Sequence, residues 1–197
     1  LSAIGWISLV TSTAILVTGN VKLASQLMGR SEGNLIGIIG SYFVHGDWQH
    51  LTINIIAYTY GVMILYSCAK YLHKRGVYLS YILNWKKWNL LELSLAALIG
   101  IIDLMFNKLY KYTNIPAVGM SDLVSAILFG GIMLSHALRF SINTIESNLK
   151  KALYIVILFN SLLLVVSNTY SALIAGVNIL AHMYGISFSA LVFFIPL

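Results

Sequence analysis

The chain of 197 residues is 59% hydrophobic and only 9% charged, with a mean hydropathy of +0.85. Soluble globular domains carry about 25% charged residues, so this composition excludes a soluble enzyme and indicates a polytopic membrane protein. The net charge of +6 falls mostly between apolar segments, where it reflects topology and contact with anionic lipid rather than nucleic-acid binding. The first residue is Leu1 rather than methionine, and the native start is therefore expected upstream.

Six apolar segments are predicted to cross the membrane within a single all-α domain that covers residues 1–197. They are apolar on all sides, which is typical of membrane helices and not of strands with alternating polarity. A helical span needs about 20 residues, so the stretch from Leu35 to Val44 is predicted to be an interfacial or re-entrant part of the first loop. A polar link from Ser167 to Ser171 is predicted between the last two spans. The predicted spans are residues 1–19, 50–69, 89–106, 121–138, 152–166 and 172–194.

The distribution of lysine and arginine predicts which loops face the cytoplasm. The second and fourth loops hold eight such residues, namely Lys70, Lys74, Arg75, Lys86, Lys87, Arg139, Lys150 and Lys151. The first and third loops hold four, namely Lys22, Arg30, Lys108 and Lys111, and the fifth loop holds none. Because positive loops stay inside, we expect an integral, multi-pass protein of the cell membrane with both termini cytoplasmic.

Ser121 opens the fourth span on the outer side, directly after the polar loop 107–116 and the stretch Val118-Gly119-Met120. The first amides of a helix have no intrahelical partner, and the helix dipole adds partial positive charge there. An oxyanion formed at this serine would therefore be stabilised, provided that a base reaches its hydroxyl. An isolated serine at this place is more often a helix cap, so the prediction depends on its neighbours.

Three further polar residues are predicted to lie in the outer half of the membrane with Ser121. His182 is about ten residues into the sixth span, which is about 15 Å below its outer end. His50 and Asn54 are four residues apart at the head of the second span and therefore share a helix face. Since polar side chains in a bilayer normally face the bundle interior, we predict a catalytic dyad of Ser121 as nucleophile and His182 as general base. His50, Asn54 and the Ser121 N–H would bind the oxyanion.

These residues resemble the motifs of the rhomboid family of intramembrane serine proteases. The family pattern is H-x4-H-x3-N at the head of the second helix, G-x-S-G at the start of the fourth and A-H-x2-G in the sixth. The matching residues are His45, His50 and Asn54, then Gly119 and Ser121, then Ala181, His182 and Gly185. The stretch from Phe43 to Leu51 is also similar to the family, and the match covers the six-span core.

The resemblance implies an endopeptidase that cuts single-span membrane proteins near the outer face through an acyl-enzyme, without cofactor or metal. Its partners would be transmembrane protein substrates and the lipid bilayer. Gly119, Gly185 and His45 are expected to support the site structurally; Gly185 and Ser189 form a small-residue face that lets two helices approach closely. The resemblance also implies that the fifth helix and the link from Ser167 to Ser171 form a gate and a cap over the site.

Two departures from the family pattern keep a second interpretation open. Asp122 stands where the family has glycine, and its charge would oppose a developing oxyanion unless it points away or is screened. Ser125 stands where the family often has an aromatic residue. The alternative is a catalytically inactive rhomboid-like protein that binds membrane helices.

Other polar residues are given no catalytic role. Asp103 could orient His182, but it is expected to lie near the interface and to be solvated. His136 is expected about 22 Å below Ser121, at the cytoplasmic end of its span, and His73 is expected in solvent. A metal site formed by His45, His50 and His182 lacks any H-E-x-x-H pair. A small transporter would need internal repeats and broken midplane helices, which the sequence does not contain.

Overall fold

The computed structural model describes residues 2–28, 36–110, 119–140, 147–173 and 179–194, which form helices and short connections without a strand among them. The predicted all-α class is confirmed. In chain order the described elements are α1 (Ala3–Thr18), α2 (Val21–Met28), α3 (Gly37–Gly40), a 3-10 turn (Ser41–Phe43), α4 (Trp48–His73), α5 (Ser80–Leu83), α6 (Trp85–Tyr110), α7 (Ser121–Phe140), α8 (Ser147–Leu173) and α9 (Ile179–Phe194).

Four of these helices, α4, α6, α7 and α8, contain segments that are long and apolar enough to cross a membrane. The chain is therefore a multi-pass membrane protein. The helix α1 is also apolar but shorter, with 16 residues, and α9 has the same length. Large apolar side chains such as Ile56 on α4 and Leu158 on α8 are exposed, as expected for surfaces that contact lipid.

Several helix ends are set by capping groups rather than by the limits of the apolar segments. The Asp47 carboxylate accepts the N–H of His50 at 2.7 Å, which starts α4 two residues before the predicted span. Asn84 accepts the first amides of α6 in the same way. The helix α1 ends at Thr18 and is capped by Gly19, which adopts a left-handed conformation with φ of 61°.

The helix α7 lies at the centre of the bundle. In the apolar segment of α7, 67% of the residues are buried, compared with 22% in the apolar segment of α8. It packs against α4, α8 and α9. Since its first residue is Ser121, the centre of the fold also carries the start of the predicted site.

The first loop packs against α1 and α6 instead of crossing the bundle. Two serines of α1 hold it: Ser8 donates to the carbonyl oxygen of Tyr42 at 2.9 Å, and Ser12 donates to that of Phe43, also at 2.9 Å. The apolar stretch predicted from Leu35 to Val44 thus forms α3 and the 3-10 turn, while Leu35 itself lies outside the described residues.

Two predictions about the chain between spans are wrong. The residues from Ser167 to Ser171 form part of α8, which continues unbroken to Leu173, so they are not a link between helices. Polar side chains suggested a loop there, but they do not interrupt the backbone hydrogen bonds of a helix as proline would. The loop predicted at 107–116 begins later than expected, because α6 continues to Tyr110. The helix α2 lies within the predicted first loop, between the first two predicted spans. Residues 111–118, which include Val118 and most of the predicted loop 107–116, lie outside the described residues. Residues 174–178 lie outside them as well.

Candidate active site

Ser121 and His182, from α7 and α9, form a direct hydrogen bond. The distance from Ser121 Oγ to His182 Nε2 is 3.0 Å. His182 is only 1% exposed, and Ser121 is half-buried. The first backbone bond of α7 joins the N–H of Val124 to the carbonyl of Met120 at 2.8 Å, so the Ser121 amide has no partner within the helix. The structure therefore brings together the two side chains that the sequence predicted to meet.

Small residues bring α7 and α9 together next to this pair. A β-carbon at Gly185 would stand 2.5 Å from the carbonyl oxygen of Asp122. One turn further along, Ser189 donates to the carbonyl oxygen of Ala126 at 2.6 Å. His182, Gly185 and Ser189 thus lie on the face of α9 that contacts α7, as the small-residue spacing predicted.

Gly119 forms the turn that joins the oxyanion candidates to Ser121. Its φ of 82° is a left-handed conformation that glycine adopts without strain. A β-carbon there would stand 2.9 Å from His50 Cε1 and 3.2 Å from Asn54 Nδ2. The Gly119 N–H also donates to the carbonyl of Ser41 at 2.8 Å. His50 and Asn54 therefore lie against the residue two positions before the candidate nucleophile.

His45 links Asn54 to α1. Its Nε2 lies 3.1 Å from Asn54 Nδ2, its Nδ1 lies 2.8 Å from Ser12 Oγ, and its ring meets that of His50 edge to face at 5.0 Å between centroids. Burial, and to a lesser degree the neighbouring His50, lowers the pKa of His45 from 6.5 to about 3, against the opposing effect of Asp47. His45 is therefore neutral at physiological pH, and its contacts are those of a structural support.

The carboxylate of Asp122 is directed at the first loop. It is 3% exposed and accepts hydrogen bonds from the hydroxyl of Tyr42 at 3.2 Å and from the Leu123 N–H at 2.9 Å. The Tyr42 hydroxyl, itself fully buried, also lies 3.1 Å from the carbonyl oxygen of Ala96. These donors hold the charge on a side of α7 different from that of the Ser121 hydroxyl, because successive residues of a helix point about 100° apart.

Ser125, the other departure from the motif, bonds within its own helix. Its hydroxyl donates to the carbonyl oxygen of Ser121 at 2.9 Å. Such a bond to the carbonyl four residues earlier is common for serine in helices. It fixes the side chain of Ser125 along α7, one turn below the nucleophile.

The prediction that Asp103 is solvated is wrong, since this side chain is only 2% exposed. Asp103 continues the buried face of α6, since it follows Ile99 by four residues and Leu95 by eight, and both of those side chains are also buried. His73 is exposed as predicted, and His136 is half-buried on α7. Among the described residues, no three histidine, cysteine or acidic side chains converge to hold a metal ion.

Ser12 and Tyr42 are site neighbours that the sequence prediction missed. Ser12 carried one usable signal: Ser8 and Ser12 are four residues apart and thus share one face of α1, which is buried. Tyr42 carried none, because its contact with Asp122 joins residues that are 80 positions apart.

No protein-family model, curated protein sequence or solved structure matches this chain. The class of protein that the fold and the geometry define is a multi-pass, all-α membrane protein in which a half-buried serine is hydrogen-bonded to a buried histidine. A functional assignment depends on that pair and its surroundings.

Proposed function

We propose that this chain is an intramembrane serine endopeptidase of the rhomboid type. The observation that supports it best is the 3.0 Å hydrogen bond between Ser121 Oγ and His182 Nε2. A capping serine would accept a hydrogen bond from an amide one turn into its own helix. The Ser121 hydroxyl instead contacts an imidazole from another helix, which is the arrangement of a nucleophile with its base.

The proposed reaction is acyl transfer in two steps. Ser121 Oγ attacks a substrate amide carbonyl while His182 Nε2 accepts the hydroxyl proton. The tetrahedral intermediate then breaks its C–N bond, and His182 returns the proton to the leaving amine. A water molecule, deprotonated by His182, then attacks the carbonyl of the acyl-enzyme. The ester C–O bond breaks, His182 returns its proton to Ser121 Oγ, and the carboxyl product leaves.

The oxyanion of the intermediate would be bound beside the turn at Gly119. The Ser121 N–H, the Asn54 amide and the His50 imidazole are the proposed donors. The absence of a side chain at Gly119 is what lets His50 and Asn54 approach this turn, since a β-carbon would stand 2.9 Å from the His50 ring. Neither metal nor cofactor takes part in this scheme.

The proposed topology has six spans, with α1 and α9 added to the four long helices, and with both termini in the cytoplasm of a cell. The eight positive charges of the second and fourth loops support it, compared with four in the others. The starts of α4 and α7 would then lie on the outer side, and the site with them. Substrates would be single-span membrane proteins, whose helix must unwind locally to offer a carbonyl to Ser121. The helix α8, the least buried of the long helices, is the proposed side of entry.

Cleavage of a single-span model substrate by the purified protein tests the proposal, together with labelling by a fluorophosphonate. The wild type is expected to cleave the substrate and to be labelled, and Ser121→Ala to do neither. The matched control is Ser187→Ala, which removes an exposed hydroxyl bonded to the carbonyl of Met183 in α9. Absence of both cleavage and labelling in folded wild-type protein would contradict the proposal.

The second candidate is an inactive rhomboid-like protein that binds membrane helices. It is favoured by Asp122 and Ser125, which replace the glycine and the aromatic residue of the family motif. In that case the folded wild type would bind the model substrate without turnover, and Ser121→Ala would bind it equally well.

A further inference from the structure

Three hydrogen bonds form a continuous chain from the first loop to the candidate oxyanion site. Ser12 Oγ donates to the carbonyl oxygen of Phe43 at 2.9 Å and lies 2.8 Å from His45 Nδ1. His45 Nε2 in turn lies 3.1 Å from Asn54 Nδ2. All three side chains are buried, so no solvent competes for these bonds.

One arrangement of protons satisfies all of these contacts. The hydroxyl of Ser12 donates its only proton to the carbonyl of Phe43. Ser12 Oγ must therefore accept a hydrogen bond from His45, so His45 must carry its proton on Nδ1. His45 Nε2 then has a lone pair and accepts one N–H of Asn54. The low pKa of His45, about 3, keeps the ring neutral, so that two uncharged tautomers compete and a hydrogen-bond partner decides between them.

The tautomer of His45 determines which atom of Asn54 faces Gly119. With the proton on Nδ1, the amide nitrogen of Asn54 lies 3.2 Å from the position of a β-carbon on Gly119, and its second N–H remains for an oxyanion. With the proton on Nε2, the amide would turn and present Oδ1 instead. A carbonyl oxygen there would repel the negative charge that the site must bind.

We propose that Ser12 is a positioning residue of the candidate protease site, which sets the His45 tautomer and through it directs an Asn54 N–H at the oxyanion. This inference depends on the proposed function only for its catalytic consequence. The hydrogen-bond relay from Ser12 to Asn54 is a property of the folded protein and is measurable without a substrate.

The helix α1 provides a matched control for Ser12. Ser8 is also buried on this helix, and it also donates to a first-loop carbonyl, that of Tyr42, at 2.9 Å. It lacks the contact with His45 that Ser12 makes. Ser8→Ala and Ser12→Ala thus remove equivalent links between α1 and the loop, and differ in the relay. Ser12→Thr keeps the hydroxyl and serves as the conservative variant.

The first measurement is the ¹⁵N NMR spectrum of protein labelled at histidine, with the signals of His45 identified by their loss in His45→Gln. We expect a protonated Nδ1 and an unprotonated Nε2 in the wild type, in Ser8→Ala and in Ser12→Thr. Ser12→Ala is expected to shift the proton to Nε2 or to mix the two tautomers. A wild type protonated at Nε2, or an unchanged tautomer in Ser12→Ala, would overturn the relay.

The second measurement is the steady-state kinetics of substrate cleavage. Ser12→Ala is expected to lower kcat by roughly tenfold and to leave KM nearly unchanged. This loss is smaller than the 10²- to 10³-fold that is typical when an oxyanion donor is removed. The effect should be smaller when Asn54 is already alanine. Equal losses in Ser8→Ala and Ser12→Ala would show a structural role alone and overturn the positioning role. An inactive wild type would refute the proposed function and the catalytic consequence together, while the NMR result would still decide the relay.

Discussion

Gly185 of α9 lies directly against the carbonyl oxygen of Asp122 in α7, so closely that a β-carbon at position 185 would stand 2.5 Å from that oxygen. A backbone carbonyl within a helix cannot turn aside as a flexible side chain can, so a larger residue must separate the two helices. The hydrogen bond between Ser121 and His182 joins these same helices next to this contact. The length of that bond therefore depends on a residue that has no side chain.

Gly185→Ala is expected to lengthen the bond between Ser121 and His182 and to lower kcat by about 10²-fold, the typical cost of misplacing a catalytic group by about 1 Å. Gly46→Ala is the control, because a β-carbon there has nothing within 4 Å. Activity and fluorophosphonate labelling would both be measured. Equal activity of the two variants would mean that the contact at Gly185 does not set the geometry of the pair.

The buried contact between Tyr42 and Asp122 is expected to contribute to stability. Tyr42→Phe removes one of the hydrogen bonds accepted by a carboxylate that is 3% exposed, and the loss of a hydrogen bond to such a group costs about 1.5–3 kcal/mol. The thermal unfolding midpoint in detergent should fall accordingly. Tyr78→Phe, at a side chain that is 70% exposed, should leave the midpoint unchanged. A midpoint for Tyr42→Phe equal to that of the wild type would contradict the assignment of this bond.

The low pKa of His45 predicts how the free energy of unfolding depends on pH. Its pKa is about 3 in the folded protein and about 6.5 in an unfolded chain, so below pH 6.5 the unfolded chain binds a proton that the folded one does not. Its contribution to stability is complete above pH 6.5 and is lost as the pH falls towards 3, by at most about 1.4 kcal/mol per pH unit. The wild type should lose more stability than His45→Gln between about pH 8 and pH 5, each compared with its own value at the higher pH. Parallel pH profiles for the two proteins would refute the low pKa.

Alanine substitutions at Gly119 and Gly76 distinguish the effect of backbone strain from the effect of displacing the site residues. Both have positive φ, 82° and 91°, so alanine at either position costs about 1–2 kcal/mol in backbone strain. Only at Gly119 would the new β-carbon also meet the His50 ring and the Asn54 amide, whereas at Gly76 nothing lies within 4 Å. Both variants should melt at lower temperature, and Gly119→Ala alone should lose cleavage activity. Retained cleavage by Gly119→Ala would show that His50 and Asn54 do not need this turn.

The sequence could predict the site where residue type and helix position were informative. Ser121 and His182 are polar residues in apolar segments, and a count of lysine and arginine elsewhere predicted that both lie in the outer half of the membrane. The surroundings of Asp122 could not be predicted, because they depend on Tyr42 from a loop far away in the chain. Ser12 was missed since a serine is unremarkable in a membrane helix, where its hydroxyl can bond to its own backbone. The end of α8 was misjudged because polar residues resemble a loop in hydropathy while they allow a helix to continue.

The base of the proposed dyad is on α9, which follows α4 and α7 in the chain, and these two earlier helices carry the nucleophile and its oxyanion donors. During synthesis, the ribosome therefore delivers this imidazole after the nucleophile and the oxyanion donors. If the proposed function is correct, a nascent chain cannot hydrolyse neighbouring proteins until α9 has docked against α7. Docking of α9 against α7 would then itself switch on the proposed enzyme.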